Sequence, residues 1–350
     1  MKIVITSDIH WHNFKEFDKL NEDGNSCRLL LYQKSMLFVR DYCNQNNIKH
    51  WIDAGDIFHS RDSINTEVLD LLGKTLDQIQ GINLYFLKGN HDTGNRRGSV
   101  STLNILSKHG KVINDNHIEE IKLTCAISLS IGYSIFIHFI PWDENSLLVD
   151  LINNGPKSDI VIAHRMIDKT KWRGALLSGE SIDKLDMSKF DYAFIGHVHE
   201  KQQINEKMMY IGNLVSSGFG DTHRGSFLVY DTQEKKIEVI ENPHSPLFIK
   251  KEIRKIEDLV DYKINAFYEF KIISNDTAEI EKIINKILTW KDKLAGMRVS
   301  VIKQLVAENR IDTTQSLTPE NLLDQYIALN KLDEVQSKIG KEILEVSKNV

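Results

Sequence analysis

KIVITSDIH, residues 2–10, is the stretch on which the fold turns. A five-residue β-type run, Lys2–Thr6, ends directly in Asp8-Ile9-His10, an aspartate and a histidine two positions apart. In extended chain, residues i and i+2 point to the same side, so both side chains can reach one ion or two adjacent ones. The construction recurs four times. Residues 50–54 run into Gly55-Asp56, and Asn83–Leu87 runs into Gly89-Asn90-His91-Asp92. Residues 159–163 end at His164, and residues 192–195 end at Gly196-His197-Val198-His199. Metal-binding side chains at the carboxyl ends of several strands are what an α/β site requires, because the loops there converge on one crevice. Glycine ahead of Asp56, Asn90 and His197 lets the backbone turn sharply and approach the site closely.

Between these runs the period changes. Residues 28–45 carry Leu29, Tyr32, Met36, Val39 and Tyr42 at helical spacing, and residues 66–79 carry Val68, Leu72, Leu76 and Ile79. Alternating strand and helix predicts an α/β fold with a largely parallel sheet. A second β-rich zone follows, with a hairpin over 118–131 and 134–140 turning at Gly132-Tyr133, and strands at 208–211, 226–231 and 236–241. The expected architecture is two packed β-sheets flanked by helices, with a small α/β capping domain and a C-terminal helical tail. The segment ENPHSPLF, 241–248, holds two of the five prolines and marks a boundary. Three domains are therefore expected: 1–245, 246–308 and 309–350. In the second, strands at 267–273 and 297–302 flank a helix over 277–290. In the third, a polar linker at 309–316 precedes a helix capped by Thr318, with Pro319 at its first position. Its stripe of Leu322, Leu323, Tyr326 and Ile327 is nearly continued by Leu332, Val335, Ile339, Ile343 and Val346.

At 350 residues the chain is too long for one compact domain. Lys and Arg number 44 against 49 Asp and Glu, a net charge of −5, which excludes a protein that grips nucleic acid by bulk positive charge. Three cysteines without a CxxC make no disulfide framework and fit a reducing, cytoplasmic setting. No run approaches the roughly 20 apolar residues of a membrane span.

Asp, His and Asn without Cys form an N/O donor set suited to Mn²⁺, Fe²⁺ or Zn²⁺. Seven donors (Asp8, His10, Asp56, Asn90, His164, His197 and His199) are too many for one ion and right for two. Two ions roughly 3.5–4 Å apart clamp a phosphate and turn a shared water into an attacking hydroxide. Any single histidine is more often structural, and His12, His50, His109, His117, His138, His223 and His244 receive no functional reading. The metal reading rests on five strand ends at once.

The ordered series DxH, GD, GNHD, H and GHxH, from Asp8 to His199, resembles the calcineurin-like metallophosphoesterases. GDIFHS at 55–60, FIPWDEN at 139–145 and YIGNLVSS…HRGSFLVYD at 210–231 are similar to the SbcD-type DNA double-strand-break nucleases, and most similar to the phage recombination-endonuclease subunits of that group. The resemblance covers 1–245 by motif. It implies one ion on Asp8, His10 and His199, another on Asn90, His164 and His197, and Asp56 between them. It implies that His91 faces the scissile phosphate and serves the leaving oxygen, with Asp92 orienting it or capping the next turn. His59 matches a position that places DNA. Arg96, Arg97 and Arg224 are candidate DNA contacts. The resemblance further implies Mn²⁺ as the metal, with Mg²⁺, Fe²⁺ or Zn²⁺ as substitutes. It implies exonuclease and endonuclease action in recombination and repair, and a homodimer within a heterotetramer completed by an SbcC-type coiled-coil ATPase.

Three rival functions fit the sequence less well. A small-molecule or cyclic-nucleotide phosphodiesterase on the same core has no need of about 100 further residues. A protein phosphatase carries an Arg before GNH, where this chain has Leu87-Lys88-Gly89, and an aspartate–arginine pair after GD, where it has Ile57-Phe58-His59-Ser60. A decayed scaffold would have lost a ligand, and none is substituted. Because the net charge is −5, the grip on DNA is expected to come from the metal ions and a partner.

Overall fold

Alternation along Lys2–Thr6 puts Ile3 and Ile5 on one face of the strand and Val4 on the other, and each face meets a different layer. The computed structural model describes residues 1–94, 100–123, 133–172, 175–221, 223–303, 318–330 and 332–347. Arg96, Arg97, the 309–316 linker and residues 124–132 of the expected hairpin lie outside the described residues.

In the first sheet Lys2–Thr6, His50–Asp53, Asn83–Leu87 and Lys111–Ile113 run parallel in that order. Ser226–Asp231 pairs antiparallel with the free side of Lys2–Thr6, and Lys236–Glu241 follows it. The second sheet has Tyr133–Ile140, Ile160–His164, Tyr192–Gly196 and Met208–Tyr210 in parallel. His117–Leu123 and Gln202–Asn205 close its edges antiparallel. The sheets stack face to face. Ile3, Ile5, Ile52 and Leu87 of one interleave with Ile137, Phe139, Ile162 and Phe194 of the other, all at most 2% exposed. At about 25 cal/mol per Å² of apolar surface, this double layer is the main stabilising mass of the chain.

Helices cover the outer faces. Ser26 caps Cys27–Gln45 by accepting from the Leu29 N–H, and Leu29, Tyr32, Met36, Val39 and Cys43 face the sheet. Asn65 caps Thr66–Asp77, whose Val68, Leu72 and Leu76 pack beside them. Leu148–Asn154 covers the far side of the second sheet. The architecture is of α/β class, two packed sheets flanked by helices, as the alternation in the sequence predicts.

Beyond residue 247 a separate sheet forms from Phe248–Ile253, Phe267–Ile273 and Gly296–Ile302, all parallel, with Thr277–Leu288 against it. Phe248–Ile253 (FIKKEI) was not expected as a strand. Phe248 and Ile253 at its two ends are buried, while two lysines break the apolar pattern between them. The tail also departs from the expected continuous stripe. It consists of two helices, Pro319–Asn330 and Glu334–Ser347. Asp333 and Gln336 form a reciprocal cap: Gln336 N–H donates to the Asp333 carboxylate at 2.8 Å, and Asp333 N–H donates to the Gln336 side chain at 3.2 Å. That pairing starts a new helix. Lys341 then reaches Asp324 at 2.9 Å and Gly340 lies against Leu323, so the two helices fold back on each other. Tyr326, Val335, Ile339 and Ile343 stay at least half exposed. No helix among the described residues is long and apolar enough to cross a membrane.

Candidate metal centre

Each expected donor stands at or just past the carboxyl end of a strand, and the loops that follow are stitched to one another. Asp8 N–H donates to Gly55 O at 2.9 Å, His10 N–H to Asp56 O at 2.9 Å and Trp11 N–H to Ile57 O at 2.7 Å. Across to the other sheet, His197 N–H donates to the Asp8 carboxylate at 3.0 Å. The backbone is strained where the donors sit. Asp8, His10, Asp56 and His197 have φ of 51°, 55°, 60° and 97°. Non-glycine residues rarely enter this left-handed region, and each costs about 1–3 kcal/mol. Gly55, at φ 109°, has no room for a Cβ because the His164 ring occupies the space, and a Cβ on Gly89 would strike Asp56.

The donors gather into two groups. Asp8, His10 and His199 form one; Asp56, His164 and His197 form the other. Asn90 joins the second, its Oδ1 lying 2.7 Å from His197 Nδ1 and 3.0 Å from His164 Nε2. Asp56 lies between the groups. Its Oδ2 is 3.7 Å from His10 Nε2 and 3.4 Å from His164 Nε2, and its Oδ1 accepts the His91 N–H at 2.7 Å. His164 Nδ1 lies 2.8 Å from Ala54 O, which directs Nε2 inward.

Three features show that this donor set fits divalent cations. Asp8 and Asp56 are at most 2% exposed, and their only ion-pair neighbours among the described residues are imidazoles. His10 Nε2 and His199 Nε2 face each other at 3.0 Å, where two lone pairs repel unless a proton or a cation lies between them. Burial holds His10 well below its ordinary pKa, and burial with the His164 charge lowers His197 to about 3, so both present neutral nitrogen. Against its own burial, His164 is raised to about 9 by the Asp56 carboxylate, and the imidazoles around Asp56 hold that carboxylate far below its usual range. The pair shows how much positive charge this crevice attracts.

His91 and His59 stand beside the first group. Their rings stack at 5.5 Å and 19°, and the His10 ring lies 4.9 Å from His91 and 5.3 Å from His59. His91 Nδ1 lies 2.6 Å from the His59 carbonyl, so that carbonyl orients the ring. This corrects the expectation for Asp92. Its carboxylate does not orient His91 but accepts the backbone N–H groups of Asp56, Gly89 and Phe58 at 2.8, 3.0 and 3.1 Å. Arg224 is not brought to the donors; it lines a groove with Lys19, Arg28, Lys34 and Phe267 where the core meets the small sheet. Trp142 stacks on the His197 ring at 5.1 Å and walls a cavity of about 480 Å³ with Asn90, Lys88 and Arg165.

Asp221, which belongs to none of the motifs in the sequence, joins the centre. Its Oδ1 lies 3.0 Å from His199 Nδ1, turning Nε2 toward His10, while Oδ2 accepts Ser217 N–H at 2.7 Å. Against burial, the hydrogen bond from His199 holds its pKa at about 2. An aspartate flanked by Gly218, Gly220 and Gly225 in a loop between strands was the available signal.

Residues 1–201 match the family described as calcineurin-like phosphoesterase. The chain belongs to that family. Calcineurin-like phosphoesterases are metal-dependent hydrolases of phosphate esters, which accords with the two donor groups around Asp56. The chain is 25% identical over 219 residues to protein 244L of Invertebrate iridescent virus 6, named as a phosphoesterase, covering 61% of this chain and 73% of that one. It is 25% identical over 300 residues to Exonuclease subunit 1 of Enterobacteria phage T4, covering 82% and 83%. Among solved structures, GAP50 of Plasmodium aligns with a TM-score of 0.41 at 10% identity, covering 70% of this chain and 90% of that one. A dimetal phosphatase from Danio rerio aligns at 0.37 and 9%, covering 69% and 98%.

Replacing Asp221 with Ala should leave the fold intact and weaken Mn²⁺ binding at one of two sites roughly 10–100-fold, the usual effect of losing the partner that orients a ligating histidine. Calorimetric titration of the phosphoesterase with Mn²⁺ measures this; an unchanged isotherm would contradict the role given to His199.

Proposed function

We propose that this phosphoesterase is a DNA nuclease, cleaving phosphodiester bonds as exonuclease and endonuclease in recombination and repair, and working as a subunit beside a coiled-coil ATPase. The observation that carries the reading is the placement of Asp56 Oδ2 within 3.7 Å of both donor groups, a geometry suited to two divalent ions acting on one phosphate. The likeness over 300 residues to the phage T4 exonuclease subunit supports the choice of DNA and of a multisubunit assembly. In this proposal Asp8, His10 and His199 hold one ion, Asn90, His164 and His197 hold the other, and Asp56 is shared. Mn²⁺ is the proposed metal, with Mg²⁺, Fe²⁺ or Zn²⁺ as substitutes. Bound there, the ions would offset phosphate charge and lower the pKa of water.

The chain's own groups do the rest. With Nδ1 committed to the His59 carbonyl, His91 would present Nε2 to the leaving oxygen as a proton donor. His59, stacked on His91 and next to His12, is proposed to place the DNA strand. Arg224 and the 246–308 segment, proposed as a capping and DNA-binding domain, would contact backbone farther out. The tail, 309–350, is proposed to dock on the ATPase through Tyr326, Val335, Ile339 and Ile343, and the assembly would be a homodimer of nuclease subunits within a heterotetramer. A second reading, a small-molecule or cyclic-nucleotide phosphodiesterase, is favoured by the 480 Å³ cavity beside Asn90, a size that suits a small ligand. Mn²⁺-dependent degradation of linear DNA, compared with hydrolysis of a generic phosphodiester, separates the two.

Four variants extend the test. His91→Ala should lower turnover by at least 100-fold while metal analysis still finds two ions, whereas Asp56→Ala should lose metal as well. His59→Ala should impair DNA cleavage far more than hydrolysis of the small diester; equal losses would remove its proposed role in placing DNA. A chain ending at Gln315 should fold, keep its metals and retain basal nuclease activity, yet fail to bind the ATPase in a pull-down. Unchanged binding would exclude the tail as the docking element.

A further inference from the structure

The small three-stranded unit meets the phosphoesterase core at an aromatic joint. Phe248 and Phe267 stack at 4.9 Å, Phe219 meets Phe248 edge-on at 5.2 Å, and Phe17 approaches Phe267 at 5.7 Å. Arg28, in the first turn of Cys27–Gln45, reaches into this joint and is only 4% exposed. Its guanidinium lies 4.9 Å from the Phe14 ring centre and 5.5 Å from those of Phe248 and Phe267. Its two end nitrogens donate to Glu16 O at 2.9 Å and Ser217 O at 2.6 Å. Among the described residues no carboxylate is in ion-pair contact with it, so ring faces and two carbonyls meet the buried charge directly, and the Glu16 and Asp18 carboxylates support it from farther off.

Ser217 connects this joint to the metal centre. The turn over 217–221 begins at the carbonyl that Arg28 holds, puts Phe219 against Phe248 and beneath the Arg298 guanidinium at 4.7 Å, and ends at Asp221. Ser217 N–H and Oγ donate to Asp221 Oδ2 at 2.7 and 3.1 Å, and Asp221 Oδ1 faces His199. One short turn is thus fastened to the small unit at its middle and to a proposed metal ligand at its end.

We infer that Arg28 and Phe219 are positioning residues that make the orientation of His199, and hence the affinity of the Asp8–His10–His199 group for its ion, depend on the seating of the small three-stranded unit. The inference rests on the reading of His199 as a metal ligand. It has two measurable signatures. In metal-free protein, the histidine ¹H–¹⁵N spectrum of wild type should show His199 with its proton at Nδ1, and Arg28→Met should give a mixture of tautomers. In Mn²⁺ titrations, Arg28→Met should weaken one of two sites about fivefold, less than Asp221→Ala because Arg28 acts one hydrogen bond farther out. Arg28→Lys keeps the charge over the rings but cannot reach both carbonyls, and should fall between wild type and Arg28→Met. If Arg28→Met does not fold, Phe219→Leu, which removes the ring and keeps an apolar side chain, should show both signatures. Folded variants with the wild-type His199 signal and both Mn²⁺ affinities unchanged, beside an Asp221→Ala control that does weaken one site, would overturn the inference alone. Should Asp221→Ala also leave both affinities unchanged, the ligand reading fails and the inference with it.

Discussion

The carboxylate of Asp92 organises the centre. Fully buried, it accepts the backbone N–H groups of Asp56, Gly89 and Phe58, and so binds the loop after His50–Asp53 to the loop after Asn83–Leu87. Burial and the nearby Asp56 charge raise the Asp92 pKa to about 7, and the hydrogen bonds from the Gly89 and Phe58 N–H groups limit that rise. With those loops fixed, Asp56 Oδ1 meets the His91 N–H and Oδ2 turns toward His10 and His164. The second sheet closes the centre from the other side, because His197 N–H binds Asp8 and the Trp142 N–H binds Lys88 O at 2.8 Å.

Left-handed backbone at Asp8, His10, Asp56 and His197 is the stability given up for that geometry. Hydrogen bonds between loops, rather than apolar contacts, hold the four residues in place. The apolar double layer beneath them supplies the surplus that tolerates it.

Much of this was legible in the amino-acid sequence because strand ends are legible. Lys2–Thr6 and Asn83–Leu87 are unbroken apolar runs, and the polar residue types that follow them stand out against that background. The fold class followed from the same alternation. What escaped notice has local causes. Lys111–Ile113 is too short to show a period, and lysines obscure Phe248–Ile253. Asp221 lies in a loop with no repeating pattern, and its partner His199 is 22 positions away, so only the folded chain brings them together. The sequence of GNHD also left open whether Asp92 serves a ring or a backbone; the answer depends on how the neighbouring loop packs.

The position of Lys2–Thr6 inside its sheet bears on how the chain is made. Lys2–Thr6 is an interior strand of its sheet, and its neighbour on one side, Ser226–Asp231, is synthesised about 220 residues later. At 5–20 residues per second, that edge stays unpaired for roughly 10–45 seconds of synthesis. An apolar strand with open backbone groups for so long is a template for pairing with other chains.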